Sequence, residues 1–179
     1  MINFDKMDLQ TIFETRCSKK KIDQIAAAAA SDPALFKKLI HLIVESKPPV
    51  PQYASWALQH ATDQKPELIF PHIDTLLPLL YKHVHDSVTR AVLRSLMLID
   101  IPDRFHEKIV DRCFTFLEDM QRPTAIKMFS MCVLWNVLQE EPELLLELRR
   151  QINIQLPDAT AGFKSRGQKI IKSIDALEL

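Results

Sequence analysis

The stretch PELIFPHIDTLLPLLYKHVHDSVTRAVLRSLMLIDI, Pro66 to Ile101, reads as two amphipathic helices back to back. In its first half Ile69, Ile73, Leu76, Leu77, Leu80 and Val84 recur at spacings of three and four, the apolar stripe of a helix. Pro66 suits a first helical turn, where its missing N–H would have no partner anyway. Pro71 and Pro78 are interior; each removes a backbone hydrogen bond, which predicts a late start or a kink. His85-Asp86-Ser87 interrupts the pattern, with Asp86 or Ser87 the expected N-cap. The second half places Val88, Ala91, Val92, Ser95, Leu96 and Ile99 on one face, and Arg90 and Arg94 in a row four residues apart. Asp100-Ile101-Pro102 should end it, because a proline disfavours helical geometry in the residue before it. Neither helix can bury its stripe alone. The pair needs neighbours.

Working outward, the same unit recurs. Asp32-Pro33 opens a helix with Leu35, Phe36, Leu39, Ile40, Leu42 and Ile43, and its partner starts at Pro51 with Ala54, Ala57, Leu58 and Ala61. A third pair begins at Pro102 (Phe105, Ile109, Val110, Cys113, Phe114, Phe116, Leu117) and continues from Pro123 through Trp135 and Leu138. A fourth begins at Pro142 (Leu144, Leu145, Leu148, Ile152), and its partner follows Pro157-Asp158 with Phe163, Ile170, Ile171, Ile174 and Leu177. The opening prolines Pro33, Pro66, Pro102 and Pro142 are 33, 36 and 40 residues apart, a drifting period typical of arrays of helix pairs. Upstream, Phe4, Met7, Leu9, Ile12 and Phe13 are expected to form a short helix capping the open end of the stack. Lys21 to Ala30, with its alanine run, is a strong helix former. Ser18-Lys19-Lys20-Lys21 reads as a solvated junction.

Composition narrows the class. The chain has 179 residues, 47% hydrophobic and 26% charged, which is long enough and apolar enough for a folded core. Only two glycines occur, Gly162 and Gly167, too few for a phosphate-cradling loop or a strand-rich fold. The 23 basic and 23 acidic residues cancel, so no global attraction to nucleic acid or anionic lipid is expected. Cys17, Cys113 and Cys132 are widely spaced and odd in number; buried thiols in a reduced, cytoplasmic protein are the simple reading. The start MINFDKMDLQ does not look like a secretory signal, and no apolar run is long enough to span a bilayer.

At the second helix of the opening pair the sequence resembles a HEAT repeat. Pro78 stands for the proline of the family's first helix, and Asp86, Val88, Arg90 and Ala91 for the Asp, Val, Arg and small residue of its second, with Thr89 inserted between Val88 and Arg90. Lys127 and Arg166 take the arginine place in the third and fourth pairs and Ser55 in the first, whereas Trp56 and Met128 depart from the small residue that should follow. The resemblance covers residues 31–179. It implies an all-α protein, a right-handed α-α superhelix of about four HEAT-like hairpins with an N-terminal capping helix. The whole would be one domain, with a cap at 1–30 and hairpins at 31–65, 66–101, 102–141 and 142–179. It also implies that the second helices line a concave face that binds protein or nucleic acid.

That face would carry Arg90, Arg94, Lys127, Lys164, Arg166, Lys169 and Lys172, while the first helices hold Glu67, Asp74, Asp103, Glu107, Asp111, Glu118, Glu143 and Glu147. A neutral chain can therefore present a basic groove. The competing expectation is an ordinary solvated face, with Arg90 paired to Asp86. An unknown protein partner, acidic in character, is the expected ligand, with nucleic acid second because affinity would need several cations on phosphates together. One HEAT-like branch, the DNA glycosylases for alkylated purines, uses tryptophan, aspartate and arginine on this face. Trp56 and Trp135 fall on second helices here, but core or seam packing is the simpler role for both, and no groove-facing aspartate stands out.

Other chemistry finds little purchase. His83 and His85 are the nearest approach to a ligand pair, and neighbours two apart diverge on a helix, so no metal site or cofactor is expected. Glu140, Glu141 and Glu143 favour a helix start rather than acid–base work, and Cys132 has no adjacent base. An unrecognised enzyme is the second alternative, its signature a deep pocket of converging ionisable groups. The expectation is a non-catalytic scaffold module.

Overall fold

The computed structural model describes residues 8–178. Phe4 and Met7, expected in the cap, lie outside them. Among the described residues there are ten α-helices: α1 (Leu9–Glu14), α2 (Lys19–Ser31), α3 (Pro33–Glu45), α4 (Val50–Gln64), α5 (Ile73–Leu76), α6 (Asp86–Leu96), α7 (His106–Glu118), α8 (Thr124–Val137), α9 (Pro142–Gln155) and α10 (Ala161–Asp175). Short 3-10 helices occupy Pro66–His72, Leu77–Tyr81 and Asp103–Phe105, and no strand occurs among the described residues. The chain divides into two compact units, Met1–Ile99 and Asp100–Leu179.

In the first unit α4 is the hub, packing against α1, α2, α3 and α6. Its inner face is largely alanine (Ala54, Ala57, Ala61, with Leu58), and α2 answers with Ile22, Ile25, Ala26, Ala29 and Ala30. Small side chains on both helices allow close approach, and dispersion contacts then accumulate along them. α6 packs on the other flank of α4, so α2, α4 and α6 lie in series, while α3 contacts the Pro66–His72 turn and α5 behind them. The helix starts follow familiar chemistry. Ser18 accepts from the Lys21 N–H, and Asp32 from the Ala34 N–H at 2.9 Å, with Pro33 in the first turn of α3.

A buried hydroxyl pair fixes α6 against α4. Thr62 Oγ1 and Ser95 Oγ are 2.8 Å apart, and both residues are buried. Thr62 donates its one proton to the Gln59 carbonyl at 3.0 Å, so Ser95 must donate to Thr62.

The organising pair departs from expectation in its first half. Residues 66–81 form no continuous helix but a 3-10 turn, one turn of α5 and a second 3-10 turn. Pro71 and Pro78 explain it: neither can donate to a carbonyl four residues back, so the chain tightens to three-residue bonds around each. The stripe survives, since Ile69, Ile73, Leu76, Leu77 and Leu80 are all buried; Val84 lies beyond it, half-buried in the connection. The N-cap of α6 is His85 rather than Asp86 or Ser87, its Nδ1 accepting the Ser87 N–H at 3.2 Å. Asp86 becomes the first helical residue, where its charge favours the positive helix end. α6 also stops at Leu96, earlier than the proline rule required.

In the second unit α7 packs on α8 and α9, and α10 packs on α8 and α9. The buried Phe116 ring lies beneath two guanidiniums, Arg112 at 4.4 Å and Arg122 at 5.2 Å from its centroid. Gln155 of α9 donates to the Leu117 carbonyl at the end of α7, at 2.7 Å, answering one of the acceptors a helix C-terminus leaves open. Leu144, grouped with the core from its spacing, is 37% exposed in the first turn of α9. Gly167 sets how near α10 can come to α9: a Cβ there would lie 2.7 Å from Ile152 Cγ2. No helix among the described residues is long and apolar enough to cross a membrane.

Two expectations follow from this packing. Gly167→Val should lower stability in urea unfolding by about 1–3 kcal/mol, because a branched side chain must displace Ile152. Gly162→Ala meets nothing within 4 Å and should raise it by about 0.4–1 kcal/mol. A neutral Gly167→Val would show that the close approach is not required. The thiols give the second. Burial pushes the Cys113 thiol up to about 12, partly offset by the Ser130 hydroxyl, and raises Cys132 and Cys17 as well. Iodoacetamide at neutral pH should therefore reach only the half-buried Cys17 in the native protein, and all three after denaturation. Native labelling of Cys113 would mean that α7 and α8 open readily.

Candidate interaction surface

Each unit has its own candidate surface, α2, α4 and α6 in the first and α8 and α10 in the second. In the first unit Asp23, on α2, meets His60, on α4, with Oδ1 2.8 Å from Nδ1. The Trp56 indole N–H donates to His60 Nε2 at 2.9 Å. Because Nε2 accepts, the neutral imidazole carries its proton on Nδ1 and donates it to Asp23. Lys19 reaches the other oxygen of Asp23 at 3.2 Å; that hydrogen bond, then the Lys19 charge and His60, hold the carboxyl below the usual range.

Asp63, at the end of α4, takes both arms of Arg94 from α6, Nε at 3.0 Å and Nη2 at 2.9 Å. This is the bidentate fork that suits a guanidinium and a carboxylate. Arg90 is exposed one turn earlier and makes no ion pair with a described residue; the expected partner, Asp86, does not reach it. A shallow depression of about 530 Å³ is lined by Lys19, Lys20, Asp23, Gln24 and Ala27. The charge of this surface is mixed.

The second unit is different. Lys127, on α8, is 8% exposed and is paired with no carboxylate among the described residues. Ser55, at the matching place in α4, is likewise buried and donates to the Gln52 carbonyl at 2.9 Å. Of the four equivalent positions, only Arg90 and Arg166 face solvent. α10 carries Lys164, Arg166, Lys169 and Lys172 against one carboxylate, Asp175, which Arg149 of α9 takes at 2.8 Å. Lys164 Nζ donates to the Pro157 carbonyl at 3.0 Å. An open depression of about 540 Å³ runs along the helix between Ala161, Lys164, Ser165, Gln168, Lys169 and Lys172. On α9, Glu147 is held below the usual range by hydrogen bonds from Arg150 and then Gln151, so that acid is already engaged there.

Six of the seven cations that the sequence grouped differ in burial and in partner. Arg90 and Arg94 belong to the first unit and Lys127, Lys164, Arg166 and Lys169 to the second; Arg94 is neutralised, Lys127 buried, and Arg90, Arg166 and Lys169 exposed. Asp63 and Asp23 went unnoticed. The Trp56–His60 spacing of four was the available signal for one half of that network, but Asp63 and Arg94 stand 31 residues apart and share no local pattern.

Other chemistry is constrained by what is already bonded. His60 has both ring nitrogens engaged, which leaves no free lone pair for a general base. Trp56 is half-buried with its N–H used, and Trp135 is half-buried with its carbonyl accepting from the Gln139 side chain. His85 caps a helix, and no group of three His, Cys, Asp or Glu among the described residues is placed to hold a metal ion.

No curated protein matches the chain. Among solved structures it is similar to the crystal structure of an engineered protein, with a TM-score of 0.60 at 17% identity, over 94% of this chain and 78% of that one. At that identity the likeness concerns the fold alone. The HEAT repeat domain family matches residues 9–174, nearly the whole array of helix pairs described above, and to that family the chain belongs.

Proposed function

We propose that this chain is a non-catalytic interaction module, a four-hairpin HEAT superhelix with an N-terminal cap that holds a protein partner on its second-helix surface. The observation that carries the reading is the separation of charge in the second unit. α10 bears Lys164, Arg166, Lys169 and Lys172 against Asp175 alone, and that one acid is taken by Arg149; α8 has no acid and adds only the buried Lys127. A row of exposed cations with no free carboxylate on its own helix favours a partner of opposite sign. Three free thiols, two of them buried, suit a reducing cytoplasm.

The surface residues that bear on binding are Arg90, Arg166 and Lys169. Arg94 already has its carboxylate, and Lys127→Glu would bury a charge and unfold its surroundings rather than report on a partner. Full-length tagged protein should retain a specific partner from lysate with and without nuclease, and Arg90→Glu with Arg166→Glu should lose it while the thermal unfolding curve is unchanged. Retention only without nuclease would put nucleic acid in the partner's place. Undiminished capture by the double variant would remove these residues from the interface.

A further inference from the structure

Resting on that module reading, we propose that the outward face of α10 is the docking site for an acidic peptide segment, a run rich in glutamate or aspartate on a partner protein. α10 buries Phe163, Gly167, Ile170 and Ile174, so the opposite stripe faces solvent. That stripe has a floor of small side chains, Ala161 and Ser165, which let another backbone come close. Lys169 and Lys172 stand along it, with Lys164 on one flank and Arg166 on the other. Lys164 binds only a neutral carbonyl, and the single carboxylate of the helix is held by Arg149. Arg166, Lys169 and Lys172 pair with no carboxylate among the described residues.

Geometry chooses between acidic classes. Lys164 and Lys172 are eight residues apart, about 12 Å along the helix axis. That length matches about four residues of extended peptide. It is short for a nucleic acid, whose affinity grows with the number of phosphates neutralised together. On α2 and α6 of the first unit, by contrast, Lys19 and Arg94 are already paired with Asp23 and Asp63.

The test uses the full chain and a fluorescein-labelled peptide of alternating glutamate and serine, read by anisotropy, with the glutamine version as control. Saturable binding of the glutamate peptide alone is expected, weakening as salt rises. Lys169→Glu with Lys172→Glu should raise Kd at least about tenfold, and the Gln/Gln pair should fall between, with thermal unfolding unchanged in both. No binding to the wild type, or equal binding to the Glu/Glu variant, overturns the assignment. So does a single-stranded oligonucleotide of equal charge that binds this face more tightly than the peptide. The two readings fail separately. A lysate partner lost on Arg90→Glu but kept by the Lys169→Glu, Lys172→Glu variant removes α10 and leaves the module. Peptide binding at α10 without any protein partner in lysate does the reverse.

Discussion

Each amphipathic helix here has a flank that only another helix can cover, and the alanine face of α4 is where the first unit meets that constraint. α2 closes on one side of it and α6 on the other. Ala54, Ala57 and Ala61 are fully buried, so the contact depends on how near the backbones can come rather than on large side chains filling space. At that spacing a hydroxyl on each of α4 and α6 falls within 2.8 Å of the other, and Thr62 and Ser95 can be satisfied without water. The second unit reaches the same end differently. There a missing side chain, at Gly167, sets the distance between α10 and α9.

Close packing of successive second helices also decides their electrostatics. α4 lies near enough to both neighbours for its own His60 and Asp63 to reach Asp23 and Arg94. Lys19 and Arg94, on the helices either side of α4, are each paired with a carboxylate. α10 packs against both α8 and α9, and its acid is drawn toward α9 by Arg149, leaving its outward lysines without carboxylates among the described residues.

The repeat was legible because its signals are local. Apolar spacing located the buried stripes of α3, α4, α6 and α7, and the prolines at 33, 66 and 142 mark true element starts. The extent of the 3-10 geometry between 66 and 81 was not legible. Periodicity reports which side chains are buried, and Ile69, Ile73, Leu76, Leu77 and Leu80 are buried as the spacing required, whereas the hydrogen-bond ladder depends on where the two prolines withdraw their donors. The family pattern did identify equivalent positions, but equivalence did not carry exposure. Ser55 and Lys127 turn inward while Arg90 and Arg166 turn out. Asp63 and Arg94 meet only because two helices pack, a fact no short window contains.

The contrast between paired and unpaired cations bears on how such a surface recognises anything. An exposed ion pair contributes about 0–1 kcal/mol to stability, so the Asp63–Arg94 fork matters less for holding α4 to α6 than for fixing where the guanidinium points. A partner wishing to use Arg94 must compete with a bidentate carboxylate already in place. On α10 an incoming carboxylate displaces only water and mobile ions, so encounter is fast and salt-sensitive while each contact stays weak. Specificity then has to come from the array: several weak contacts at fixed spacing along a helix whose inner face is held by Phe163, Ile170 and Ile174. A rigid ruler of modest charges discriminates by length and register, and that is a property of the fold before it is a property of any one lysine.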